Sequence, residues 1–150
     1  MLPNCWNGEY GLVLRCSTGV GDVVALQITR GERQTIMLKR IVAVGGDTVA
    51  TKDGQFYRNG EAVSGYRTLG VTCSDWGDGM TVPEGFCCVL GDNREDSVDS
   101  RDPEIGFVEA GCITGMFVGV KGGLAVIAVL RALLCIISFR AERVISASVL

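Results

Sequence analysis

Between Tyr10 and about Val120 the chain is a succession of short runs rich in β-branched and aromatic residues: YGLVLRC, DVVALQI, TIMLKRIVAV, DGQFYRNGEAV, FCCVL and ITGMFVGV. Gly, Asp or Asn bounds each of them, which is the signature of strands separated by turns. Asn59-Gly60, inside the fourth run, is a two-residue hairpin signal. The stretch GYRTLGVTCSDWGDGM is rich in Gly and polar residues and reads as a surface excursion between strands. No internal repeat or low-complexity segment interrupts this pattern. The expectation is an all-β domain of antiparallel sheets, and 150 residues give one such domain a substantial core.

Beyond Gly122-Gly123 the texture changes. LAVIAVLRALLCIISF, residues 124–139, is apolar nearly all round apart from Arg131 and Ser138, and Arg140 and Arg143 follow it. A bilayer needs about 20 apolar residues, a length reached here by counting the flanks. An Arg near the centre costs roughly 2.5–3.5 kcal/mol, which many Leu, Ile and Val at about −0.3 to −0.6 each offset. The sequence thus divides into a β-domain over 1–121 and an apolar C-terminal helix over 122–150, a candidate membrane segment whose alternative is a helix lying on the membrane or packed on the sheet. Short basic flanks resist translocation, so Arg140 and Arg143 would stay cytoplasmic and the β-domain would face outward.

Charge placement excludes several functions. Residues 1–110 carry 10 Lys/Arg against 16 Asp/Glu, and residues 111–150 carry 4 against 1, for a net charge of −3. An acidic body without a basic stripe argues against nucleic acid. The absence of His removes a His-based triad and the commonest metal ligand. Seven cysteines, at 5, 16, 73, 87, 88, 112 and 135, form no C-x-x-C pair. Adjacent Cys87 and Cys88 would face opposite sides of a strand, as small buried hydrophobes.

Two features demand chemistry. In TIMLKRIVAV, alternation puts Met37, Lys39, Ile41 and Ala43 on one face and Ile36, Leu38, Arg40, Val42 and Val44 on the other. Lys39 between Met37 and Ile41 loses water, desolvation lowers its pKa, and a neutral lysine can take a proton from a hydroxyl. Arg40 stays charged and needs a carboxylate or solvent. Directly after FCCVL stands GDNREDSVDSR, residues 91–101, which offers carboxylates for Arg40 and hydroxyls to hold the Lys39 amine.

The stretches GDVV (21–24), LKRIVAVGGD (38–47), NGE (59–61) and VPEGFCCVLGDNREDSVDSR (82–101), in that order, resemble the type I signal peptidases, Ser/Lys proteases of the bacterial membrane. MLPN at 1–4 is similar to the family's S-M-x-P box without its first residue. The resemblance implies a signal-peptidase-like fold of two antiparallel sheets, with substrate held as an added strand. It implies that Lys39 is the general base, that Ser97 orients it, and that Asp99 and Arg101 brace the site. Met1, Met37 and Leu38 match positions lining the pockets for the small residues before the cut. The implied partners are exported preproteins and membrane lipid, with the β-domain on the extracytoplasmic face and no metal or cofactor.

Two departures stand out. DPEIG between Arg101 and Phe107 makes a longer spacer than the family pattern suggests, and the apolar C-terminal segment is not a general feature. The largest difference concerns the nucleophile: the family's serine immediately precedes the Met of its box, and here that Met is residue 1. The chain as it stands is therefore expected to be catalytically silent, with Cys5 and Ser17 the nearest substitute nucleophiles. The alternatives are a non-catalytic membrane-associated β-domain, or a Ser/Lys relative with another target, such as a self-cleaving repressor or a pilus-maturation peptidase.

Overall fold

The structure is a computed structural model describing residues 1–5, 10–30, 33–74, 76–77 and 79–119. The proposed C-terminal helix lies outside the described residues. Among the described residues no helix is long and apolar enough to cross a membrane.

The described residues are all-β. Among them ten strands run β1 (Gly11–Leu14), β2 (Val23–Arg30), β3 (Arg33–Val44), β4 (Thr48–Lys52), β5 (Gln55–Arg58), β6 (Glu61–Ala62), β7 (Met80–Thr81), β8 (Phe86–Leu90), β9 (Val108–Glu109) and β10 (Ile113–Gly119), with one 3-10 turn at Ala110–Cys112. They form a six-stranded sheet, order β1-β10-β2-β3-β8-β9, and a four-stranded sheet, order β6-β5-β4-β7. Every strand pairing is antiparallel.

The six strand-like runs all fall on strands, while β4, β7 and β9 have no counterpart among those runs. Asn59-Gly60 closes the β5–β6 hairpin with φ of 53° and 82°, the left-handed pair a two-residue turn requires. Asp53-Gly54 does the same between β4 and β5. Asn59 also ties two distant motifs together: its Nδ2 donates to Asp47 Oδ1 at 2.7 Å, and its Oδ1 accepts from Thr48 N at 2.8 Å. The GGD and NGE motifs are thus two halves of one corner.

The large sheet is buried on both faces along β8 and the second half of β3. Val42, Ala43, Cys88 and Leu90 pack with Val49, Phe56 and Val82 of the four-stranded side. Val24, Leu26, Ile41, Cys87 and Val89 pack on the other face with Val108. Each fully buried Val, Leu or Ile contributes about 1.5–3 kcal/mol. Cys87 and Cys88 divide between the two clusters, as alternation requires.

The alternation expected along β3 breaks once. Ile41 belongs to one cluster and Ala43 to the other, because the β3–β8 register shifts between these residues. A bulge inserts an extra residue and reverses the facing of the residues beyond it. Met37, Lys39 and Ile41 keep a common face, opposite Leu26 and Val24 of β2. Ala43 does not share it.

Candidate active site

β8 ends at Leu90, which pairs with Arg40. From there back to Arg33, β3 has β2 as its strand neighbour and an open edge on the other side among the described residues. The chain leaving β8 as GDNREDSVDSR folds back over this opening, held by Ser100, whose Oγ accepts from Val89 N at 2.9 Å and whose N donates to Val89 O at 3.0 Å.

That return places Ser97 against Lys39, and the lysine Nζ donates to Ser97 Oγ at 2.7 Å. Lys39 is only 9% exposed. Burial lowers its pKa from 10.5 by disfavouring the ammonium; nearby Asp99 opposes that effect and Arg101 adds to it. Asp99 is itself engaged. Its two oxygens accept from Arg101 Nε and Nη2, each at 2.8 Å, and Oδ2 accepts from Gly91 N at 2.9 Å. Burial pushes the Asp99 carboxyl up, but these donors outweigh it and hold the pKa below 3.8. Lys39 therefore has an acid close enough to feel, but one whose lone pairs serve Arg101 and the backbone.

Arg40, one residue on, points the other way and meets full compensation. Its Nε and Nη2 donate to Asp92 at 2.8 and 2.6 Å, its Nη1 donates to Gly21 O at 2.6 Å, and its guanidinium carbon lies 4.5 Å from the Tyr66 ring centroid. Burial would depress its pKa, yet the Asp92 pairing outweighs burial and raises it. Asp92 also accepts from Asn4 Nδ2 at 2.7 Å, and Asn4 donates to Arg67 O at 2.7 Å. The MLPN segment is anchored by this contact, with Asn4 N and Cys5 N both donating to Met1 O.

A cleft of about 380 Å³ results, lined by Met1, Leu38, Lys39, Gly91 and Ser97, with Cys5 on its wall. Of the residues singled out from sequence, Met1, Leu38, Lys39 and Ser97 meet in this cleft, and Asp99 and Arg101 stand behind it. Met37 does not line it; that side chain packs against the cluster of Val24 and Ile41. Ser17 lies in a separate depression with Arg15 and Gln27. Sequence reasoning missed two residues. Asn4 fixes the first segment to Asp92, and its only signal was its place in the MLPN box. Gly91 leaves the space that Ser97 fills: a Cβ there would overlap Ser97 Oγ and stand 3.5 Å from Lys39 Nζ. Its signal was a Gly directly at the end of an apolar strand. Among the described residues no cluster of His, Cys, Asp and Glu could hold a metal ion.

In fold, the chain resembles a bacterial peptidase domain. The crystal structure of a signal peptidase I from Enterococcus faecalis V583 superimposes with a TM-score of 0.54 at 27% identity, covering 67% of this chain and 97% of that one. Residues 1–120 match the family described as signal peptidase, peptidase S26. Signal peptidase I of Bacillus licheniformis is 35% identical over 117 residues, covering 68% of this chain and 61% of the relative. Signal peptidase I T of Bacillus subtilis strain 168 is 33% identical over 115 residues, covering 68% and 59%. The chain belongs to the signal peptidase family, peptidase S26, a family of serine endopeptidases. It spans about three-fifths of the length of these two relatives.

Proposed function

We propose that this β-domain carries the base half of a Ser/Lys endopeptidase that removes signal peptides from exported preproteins. The observation that carries the reading is the 2.7 Å contact between the Lys39 amine and Ser97 Oγ in a cleft that also holds Met1. In this scheme a serine joined directly ahead of Met1 enters the cleft as nucleophile. Its Oγ attacks the carbonyl carbon of the scissile bond while its proton passes to neutral Lys39. The protonated lysine then delivers that proton to the leaving amine, and an acyl-enzyme remains. Water attacks the ester as Lys39 takes one of its protons, and the lysine then returns that proton to the departing serine oxygen as the carboxylic acid product leaves.

Ser97 accepts a hydrogen bond from the lysine and so fixes the direction of its nitrogen, while Asp99 and Arg101 hold the loop bearing Ser97. Leu38 and Met1 supply apolar walls suited to small side chains before the cut, and the open β3 edge can take an extended peptide by main-chain pairing. The enzyme would work at the membrane surface, with this domain on the extracytoplasmic side and residues 122–139 as a further apolar anchor.

The test compares two proteins on one preprotein, with product followed by mass spectrometry. The 150-residue chain alone should give no cut above background. The same chain extended upstream by an apolar anchor ending in serine should cut after a small-x-small motif. A silent extended chain would favour a peptide-binding domain without catalysis. A cut by the unextended chain that Cys5→Ala abolishes would transfer the nucleophile to Cys5, which lines the same cleft.

A further inference from the structure

The loop that leaves β8 sends successive side chains in different directions. Arg94 turns inward, with its Nη1 donating to Thr72 Oγ1 at 2.9 Å. Glu95 lies against Gly70, where an added Cβ would meet its Cγ and Cδ. Ser97 turns to Lys39. Asp96, between them, is exposed on the wall of the Lys39 cleft, and half-buried Asn93 lines the same space. The backbone is pinned on both sides of Asp96: Arg94 N donates to Leu69 O at 2.8 Å, and the lysine holds Ser97. A carboxylate is thus carried to the cleft on a braced segment.

The neighbouring aspartates have partners. Asp92 accepts from Arg40 and Asn4, and Asp99 accepts from Arg101 and Gly91 N. Neither Asp96 nor Asn93 has a side-chain hydrogen bond or ion pair among the described residues. Asp96 does not set the lysine either, since the charges that shift the Lys39 pKa are those of Asp99 and Arg101. Among the described residues lining the cleft, Asp96 is the one carboxylate, and Lys39 is the one basic side chain. An uncommitted carboxylate, with an amide oxygen lining the same cleft, attracts a cation and repels an anion. The acidic body, with 16 Asp/Glu against 10 Lys/Arg over residues 1–110, adds a field of the same sign.

We propose that Asp96, with Asn93, selects substrates that carry lysine or arginine next to the scissile bond, at the middle of the small-x-small motif or at the first position after the cut. The inference rests on the peptidase reading above. Asp96 directly precedes Ser97, so its Cα is about 3.8 Å from that of the residue holding the base, which must reach the attacking oxygen. In an extended peptide, side chains alternate with period two. The two small residues therefore share one side of the substrate strand, and the middle residue and the first residue after the cut share the other.

The test uses the chain extended upstream by an anchor ending in serine. Its substrates are peptides with one small-x-small motif and Lys, Gln or Glu at either of the two positions. At one position or both, kcat/KM for the Lys peptide should exceed that for the Glu peptide by about fivefold or more at about 20 mM salt, and the ratio should shrink toward one at about 1 M. Asp96→Asn should bring the low-salt ratio near one, and Asp96→Lys should invert it. A ratio near one in the parent, or a ratio that Asp96→Asn leaves unchanged, would overturn the proposal. If the Gln peptides are not cut, it is the peptidase reading that fails. Fluorescence anisotropy of the same peptides on the 150-residue chain then makes the same comparison: tighter binding of Lys than Glu peptides that Asp96→Asn removes supports the proposal, and equal binding overturns it.

Discussion

Lys39 and Arg40 are neighbours on one strand and have opposite fates. On the Arg40 side the cation is matched by a carboxylate through two hydrogen bonds, a backbone carbonyl and an aromatic face. On the Lys39 side the amine meets a neutral hydroxyl, apolar neighbours, and an aspartate occupied by Arg101. Both residues are 9% exposed, so burial alone does not separate them. Partners do. The Arg40 side satisfies its charge, and the Lys39 side, where we propose the base, leaves its charge poorly supported.

The contrast is broken most severely at Lys39. In the serine-bearing protein Lys39→Ala should lower turnover by about 10²–10⁴-fold, the usual worth of a general base. Lys39→Arg should do the same, because a guanidinium does not release its proton near neutral pH. Turnover within a few fold of the parent for either variant would remove Lys39 from the reaction.

The next effect is on stability and falls on the other side. Asp92→Ala leaves buried Arg40 without its carboxylate and should cost about 3–5 kcal/mol in denaturant melts. Asp99→Ala, which strands Arg101, belongs to the same class. Ser97→Ala deletes one hydrogen bond and should cost only about 0.5–1.5 kcal/mol while still slowing cleavage. Should melts show Ser97→Ala to be the more destabilising change, the division between the two sides would be wrong.

Sharper still is the direction of the pH dependence. The limb on which cleavage rises with pH reports loss of the Lys39 proton, and its midpoint should lie below 10.5. Arg101→Gln removes a charge that lowers the lysine pKa, so the limb should move to higher pH. Asp99→Asn removes a charge that raises it, so the limb should move to lower pH. Shifts in the opposite sense would show that these charges do not act on the titrating group.

Much of this was legible in the sequence because the strands repeat with period two and the polar loop follows an apolar strand directly. The need of Arg40 for a carboxylate and of Lys39 for a hydroxyl could both be stated from the strand pattern, and residues 91–101 supply both. What escaped has physical reasons. β7 and β9 are two residues each, too short to show alternation. The shift between Ile41 and Ala43 leaves no mark in residue type, since both are apolar on either face. Gly91 acts through the atom it lacks, and Asn4 acts across 88 positions of chain. Arg94 looks in sequence like turn-forming polarity, and the fold turns it inward instead.

The central claim is that Lys39 is held with a depressed pKa by desolvation against Ser97. Nitrogen NMR of the lysine side chains, with Lys39 assigned by its loss in Lys39→Arg, reads this without any nucleophile in place. The Lys39 amine is expected to titrate below 10.5. A Lys39 midpoint at or above 10.5 would contradict it.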